Sequence, residues 1–357
     1  MNQVHPCGTE GKAVSRLART SYVPHGRRPA HRHTPLLFAL FLLSRLTAWA
    51  VPPEIERADE LVRRGELDQA LILLQDLRNQ HPGDPEVLAR LGSVWFDKGE
   101  YQQALEPLER ALALQPDHKK ATQQLGTALY VLGRLEQAIP HLERSLAWFP
   151  DHINFTSMLA LCYVQTRQPD PARRSFARIF SLDPDSARAH LISGLMFRRQ
   201  DIWEIARREL EEALRREPQM PLAHLYLGEI LYAQGSLEEA LEKFRTEIAV
   251  NPAFWMGYYR SGEVLFEQGK HAEAIESLER SIWLNEFFAG PYLLLGQIHL
   301  KEGRIQPALE NLRKAVRYDY TNPRVHYVLA RALRAAGMEQ EASREFELSE
   351  RLQNEGQ

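Results

Sequence analysis

Apolar residues in this chain fall into short helical stripes that come in pairs, and residues 85–118 show one pair clearly. Leu88, Leu91, Gly92 and Trp95 stand at i, i+3, i+4 and i+7, which places them on one face of a helix. Gly99 interrupts that helix. Tyr101, Ala104, Leu105, Leu108, Ala111 and Leu112 then form a second apolar face at the same period. Pro116 follows, where a missing N–H and a fixed φ help to end the second helix. Asp84-Pro85 supplies a side-chain cap and a first-turn proline for the first helix, and Asn322-Pro323 repeats the device. The segment predicts a helix, a tight turn, and a second helix antiparallel to the first.

The same pattern recurs without insertion. Ala70, Ala104, Ala138, Ala172, Ala206, Ala240, Ala274, Ala308 and Ala342 are spaced 34 residues apart. Four residues after each stands Leu or Phe, from Leu74 to Phe346. Twelve before each stands a small residue: Ala58, Gly92, Gly126, Ala160, Gly194, Gly228, Gly262, Gly296 and Ala330. Prolines from Pro82 through Pro252 mark the ends of the first six units. Small residues at two columns predict a close crossing of the paired helices, which a larger side chain would push apart. Pro107, Pro140, Pro171 and Pro307 fall early in second helices and predict bending or a late start there.

A 34-residue helix–turn–helix with these columns in register resembles the tetratricopeptide repeat. The resemblance covers 51–356, in units 51–84, 85–118, 119–152, 153–186, 187–220, 221–254, 255–288, 289–322 and 323–356. It implies an all-α fold, a right-handed α-solenoid of about nine repeats in which each unit buries its apolar faces against its neighbours. The departures are local: Glu286, Tyr320 and Asn354 replace the terminal proline in the last three units, and His299 stands where an apolar residue is usual. The last helix, around Ser343 to Leu352, is rich in Glu, Arg and Ser and is expected to cap its own end.

The resemblance further implies a concave groove lined by the first helices, at the second, fifth, ninth, twelfth and thirteenth positions of each unit. Those positions hold Phe96, Tyr130, Tyr232, Tyr259, Phe266 and Tyr327, with Glu229, Glu263 and Glu267 near the middle. Arg188, Arg198 and Arg199 precede them, and Arg324, Arg331 and Arg334 follow. The expected site is a peptide groove with an aromatic, acidic centre in units six and seven and basic flanks, since aromatic and arginine side chains carry most interface energy. The alternative is that the aromatics pack between helices and the charges are a solvated face. The carboxylate clamp of chaperone-binding arrays is absent: the fifth positions run Ile55, Ala89, Gln123, Ser157, Leu191, Leu225, Tyr259, Leu293 and Tyr327.

Charge narrows the partner. Residues 1–50 carry seven Lys/Arg and one acid, Glu10, which leaves 37 basic and 46 acidic residues in 51–357, a formal net of −9. An acidic body argues against general nucleic-acid binding. The leader reads in the order of a secretory signal: a basic region, the apolar run Pro35 to Leu43, and Ala48-Trp49-Ala50 before Pro52-Pro53, with cleavage expected after Ala50. Its length leaves two alternatives, a start placed too far upstream or an uncleaved anchoring tail, and membrane contact is expected only through an uncleaved leader.

Catalytic chemistry has little to stand on. Cys162 sits among apolar residues as a small buried hydrophobe, and the body's histidines are scattered through different units. His224 and His326 share one column, which reads as packing. No metal-ligand spacing, phosphate loop or nucleophile elbow occurs in the sequence. No enzyme activity and no cofactor are expected. The expectation is a scaffold or adaptor that binds a peptide or partner protein, exported and periplasmic. The alternatives are an accessory protein of polysaccharide export, or an intracellular or membrane-anchored adaptor.

Overall fold

A computed structural model describes residues 53–355, so the leader and its cleavage site lie outside the described residues. The described chain is all helix and turn, an α-solenoid of paired antiparallel helices. The pairs are α1 (Pro53–Arg63) with α2 (Leu67–Gln80), α3 (Pro85–Asp97) with α4 (Tyr101–Leu114), and α5 (Lys119–Val131) with α6 (Leu135–Trp148). They continue as α7 (Ile153–Gln165) with α8 (Pro169–Ile179), α9 (Ala187–Arg199) with α10 (Trp203–Arg216), and α11 (Ala223–Ala233) with α12 (Leu237–Val250). The last three are α13 (Trp255–Glu267) with α14 (His271–Leu284), α15 (Ala289–Lys301) with α16 (Ile305–Tyr318), and α17 (Pro323–Ala335) with α18 (Glu339–Glu355). Each helix packs on its partner and on the next helix in the chain.

The repeat columns account for this packing. All nine alanines from Ala70 to Ala342 are fully buried, as are Leu74, Leu108, Leu142, Leu210, Phe244, Leu278 and Leu312. Each such leucine contributes about 1.5–3 kcal/mol by leaving water. The glycine column is small for the expected reason. A Cβ on Gly92 would sit 2.5 Å from Leu108 Cγ and 3.3 Å from the Ala104 carbonyl, and one on Gly228 would sit 2.6 Å from the Phe244 ring. The turn inside each unit needs a left-handed residue. Gly99 supplies it at φ 77°, but Arg167 and Asp201 hold the same place in their units at φ 59° and 56° without glycine.

The caps follow the sequence where it offered them. Asp84 accepts from the Glu86 and Val87 amides at 2.8 and 3.4 Å, and Asn322 accepts from Arg324 at 3.1 Å. Two further caps are histidines: His118 Nδ1 accepts from the Ala121 N–H at 3.2 Å, and His152 Nδ1 from Phe155 at 3.4 Å.

Three details depart from expectation. No second helix starts late: every one begins at the seventeenth position of its unit, and Pro107 and Pro140 lie inside α4 and α6. Pro171 and Pro307 fall in the first turns of α8 and α16, where their missing N–H costs nothing. α8 stops at Ile179, and the chain turns through a left-handed Ser181 before α9. α11 starts two residues later in its unit than α3, α5, α7, α9, α13, α15 and α17 do. Its preceding residue, Leu222, is left-handed at φ 72° and carries no side-chain cap of its own. The buried Glu247 of α12 serves instead, accepting from the Leu222 N–H at 2.8 Å and the Leu225 N–H at 3.4 Å.

Candidate functional site

The first helices of successive units lie side by side, and their groove positions bring part of the predicted site together. In units five to seven, Glu229 on α11 stands between two arginines. Arg198 of α9 reaches one carboxylate oxygen at 3.1 Å, and Arg260 of α13 reaches the other at 2.8 Å. Arg260 also donates to Glu263 at 2.7 Å, and the Tyr259 hydroxyl donates to Glu263 at 3.3 Å. The guanidiniums of Arg198 and Arg260 lie over the rings of Tyr226 and Tyr259, at 4.8 and 5.5 Å. These groups are half-buried, so water screens them less than it would at an open surface. Burial first, and then the negative charge of Glu263, push the Tyr259 phenol up to about 12, while Arg260 and Arg324 pull the other way.

This arrangement corrects one expectation. The centre is not a bare acidic patch, because Arg198 and Arg260 neutralise Glu229 and Glu263 within the protein. Arg260 was not among the predicted groove residues. It occupies the sixth position of its unit, a column that holds the buried Leu294 and Val328 in the two units that follow. A signal for it existed. Arg90, also at a sixth position, pairs with Asp59 of the preceding unit at 2.9 Å, and Ser93 donates to Gln124 at 2.6 Å across the same 31-residue step. An acid at the ninth position followed 31 residues later by arginine is legible as a ladder between repeats.

The remaining predicted residues form separate groups. The Tyr232 hydroxyl donates to Glu267, and burial followed by that bond raises its phenol pKa. Phe266 is half-buried, with Lys301 Nζ 4.2 Å above its ring and His271 stacked at 6.1 Å. Tyr259 meets Phe288 edge-on at 5.0 Å, and the two rings close over Gly290, where a Cβ would come within 2.6 Å of Phe288 and 2.8 Å of Tyr259. Phe96 and Tyr130 are half-buried and lean on the core, Phe96 edge-on to Tyr101 at 5.3 Å. Tyr327 and Arg331 sit apart on α17, both exposed.

The histidines share structural roles. His326 is fully buried, with Nδ1 2.6 Å from a Glu345 oxygen and Nε2 2.7 Å from the Tyr320 carbonyl. His224 Nε2 lies 2.9 Å from the Pro218 carbonyl. His190 belongs to the same column and completes a buried triad: Glu209 takes Arg173 on one oxygen and His190 Nδ1 on the other, each at 3.1 Å. Cys162 is buried, and burial pushes its thiol up to about 11. Among the described residues, no group of three or more His, Cys, Asp or Glu is placed to hold a metal ion, and no helix is long and apolar enough to cross a membrane.

Two family models described as tetratricopeptide repeat match the chain. One covers residues 55–119, 96–153, 198–249, 243–289 and 293–351, and the other covers 132–194. No curated protein sequence matches. Among solved structures, the chain is similar to MamA 41-end from Desulfovibrio magneticus RS-1, at 24% identity over 48% of this chain and 97% of that one, with a TM-score of 0.44. It is also similar to pilF of Pseudomonas aeruginosa, at 22% identity over 54% of this chain and 88% of that one, TM-score 0.46. A third similarity is to the Cut9–Hcn1 hetero-tetramer of the APC/C, at 15% identity over 84% and 59%, TM-score 0.43.

Proposed function

The chain belongs to the tetratricopeptide-repeat family, and from that premise we propose that it is a non-catalytic scaffold that holds a peptide or partner protein along its first helices. The observation that carries this reading is the continuous row of half-buried aromatic and charged side chains from Arg198 to Tyr259. Arg198, Glu229, Arg260 and Glu263 hold one another in fixed geometry. A surface ordered before binding loses less side-chain entropy when a partner docks. The aromatic rings beside the ladder supply apolar area, and the ladder supplies orientation. We further propose that the protein acts in the cell envelope, a reading supported by the order of basic, apolar and small residues in 1–50.

The test is affinity capture from the native host with the tagged full chain and mass spectrometry, repeated with Tyr232→Ala and Tyr259→Ala. Loss of the same captured protein in both variants, with unchanged melting, supports the groove; identical recovery from all three baits removes it. Edman sequencing of the purified protein checks the envelope reading, which expects a new terminus at Val51.

A further inference from the structure

We propose that the exposed face of α17 recognises an acidic, extended segment of the partner protein, with Arg324 and Arg331 gripping its carboxylates and Tyr327 packing between them. This inference rests on the groove reading above and names the chemistry of the partner.

Arg324, Tyr327, Arg331 and Arg334 are spaced by three, four and three residues, which sets them along one side of the helix. Ten residues of helix run about 15 Å, the length of about four to five residues of extended chain. Tyr327 is 49% exposed, whereas Ala89, Leu225 and Leu293 at the same position of their units are buried.

Two of the three charges on this face are free. Among the described residues, neither Arg324 nor Arg331 has a carboxylate within 4.0 Å. Arg334 reaches Glu339 only at 3.9 Å and lies 4.5 Å above the Phe346 ring. Arg198 and Arg260, by contrast, are committed to Glu229 and Glu263. The adjoining groove positions on α15 are Gly290, Leu293, Gln297, Leu300 and Lys301, with no acid among them. Along the sequence, the nearest groove carboxylate that no arginine pairs with is Glu267 of α13.

A guanidinium keeps its charge at all working pH and presents paired donors that match a carboxylate. Nucleic acid and anionic lipid offer negative charge as well. Either would have to approach a body of net charge −9 over residues 51–357, which repels an extended polyanion more than a short peptide.

The experiment is fluorescence anisotropy with the full chain and labelled peptides of about ten residues, enough to overrun the stripe. Three are used: one rich in Asp and Glu, one rich in Lys, and one of Gly, Ser and Asn. The acidic peptide is expected to bind best, to weaken as salt rises, and to lose about tenfold or more in affinity in Arg324→Glu/Arg331→Glu. Arg344→Glu, an exposed charge on α18, is expected to bind as the wild type does, and all variants to melt alike. The inference is overturned if the acidic peptide fails to bind or ignores the double variant. It is equally overturned if single-stranded DNA or anionic vesicles, and not the peptide, bind through those arginines. A captured partner that depends on Tyr259 but not on the two arginines leaves the groove reading standing and this one fallen.

Discussion

At the scale of single residues, burial decides which polar groups matter. Glu209 is 7% exposed and joins Arg173 of α8 to His190 of α9. Glu209→Ala removes both bonds, but Arg173 keeps Asp170 at 2.7 Å and the Pro184 carbonyl at 3.0 Å. The loss is therefore expected near 2 kcal/mol, below the range for a charge left with no partner, and urea denaturation measures it. His118 makes a pH-dependent contribution. Burial, then Arg90 and Lys120, hold its pKa below the ordinary 6.5, and its Nδ1 must be unprotonated to cap α5. The unfolded chain therefore takes up a proton at a pH where the folded chain does not. Stability is fully present above 6.5 and falls as pH drops through the window beneath it. His118→Asn keeps an acceptor and removes the titration. Between about pH 7.5 and about pH 5.5 it is expected to lose less stability than the wild type; equal losses in the two proteins would refute the assignment.

At the scale of helices, what was legible in the sequence is what the 34-residue period averages over. The alanine, leucine and glycine columns repeat nine times, so each copy corroborates the others, and pairing, turn position and crossing followed from them. Features that occur once have no such support. Arg260 lay at a column that holds buried apolar residues in the two units that follow, and only its match to Arg90 and Asp59 could have marked it. The early end of α8 and the delayed start of α11 leave no mark in the spacing, because the unit length is preserved around them. The repeat columns mark the aromatics as groove positions, but which of them lean on the core depends on neighbours 34 residues away. Glu247 is another single occurrence: it sits in a column otherwise filled by small or apolar residues such as Ala111, Ser145 and Ala213, and it stands in for the cap that Leu222 cannot provide. Glu247→Ala strands the Leu222 and Leu225 amides at the buried start of α11, at an expected cost of about 1–3 kcal/mol. Hydrogen exchange is expected to quicken first at those two amides. Unchanged protection there would mean that other groups cap the helix.

At the scale of the whole repeat array, stability is carried by neighbours rather than by one shared core. The buried side chains group along the chain: Ile55 to Val94, Leu88 to Ile230, Leu225 to Ile298, and Tyr292 to Ala342. Contacts run between adjacent units, so a local defect has few routes to a distant one. Leu312 tests this directly. It is fully buried in the last of those groups and fills the space over Gly296, whose position leaves no room for a Cβ. Leu312→Ala opens a cavity expected to cost about 2–5 kcal/mol. In a single cooperative globule that loss would lower protection everywhere. In a linear array it falls on α15 to α18, while α3 to α10 keep their exchange rates and a second, later unfolding step appears on heating. Exchange read by mass spectrometry separates the two outcomes, and a uniform loss of protection from α3 to α18 would contradict the linear account. The same locality keeps the binding proposal testable: a change on α17 can remove recognition there without disturbing the Arg198–Glu229–Arg260 ladder two units away.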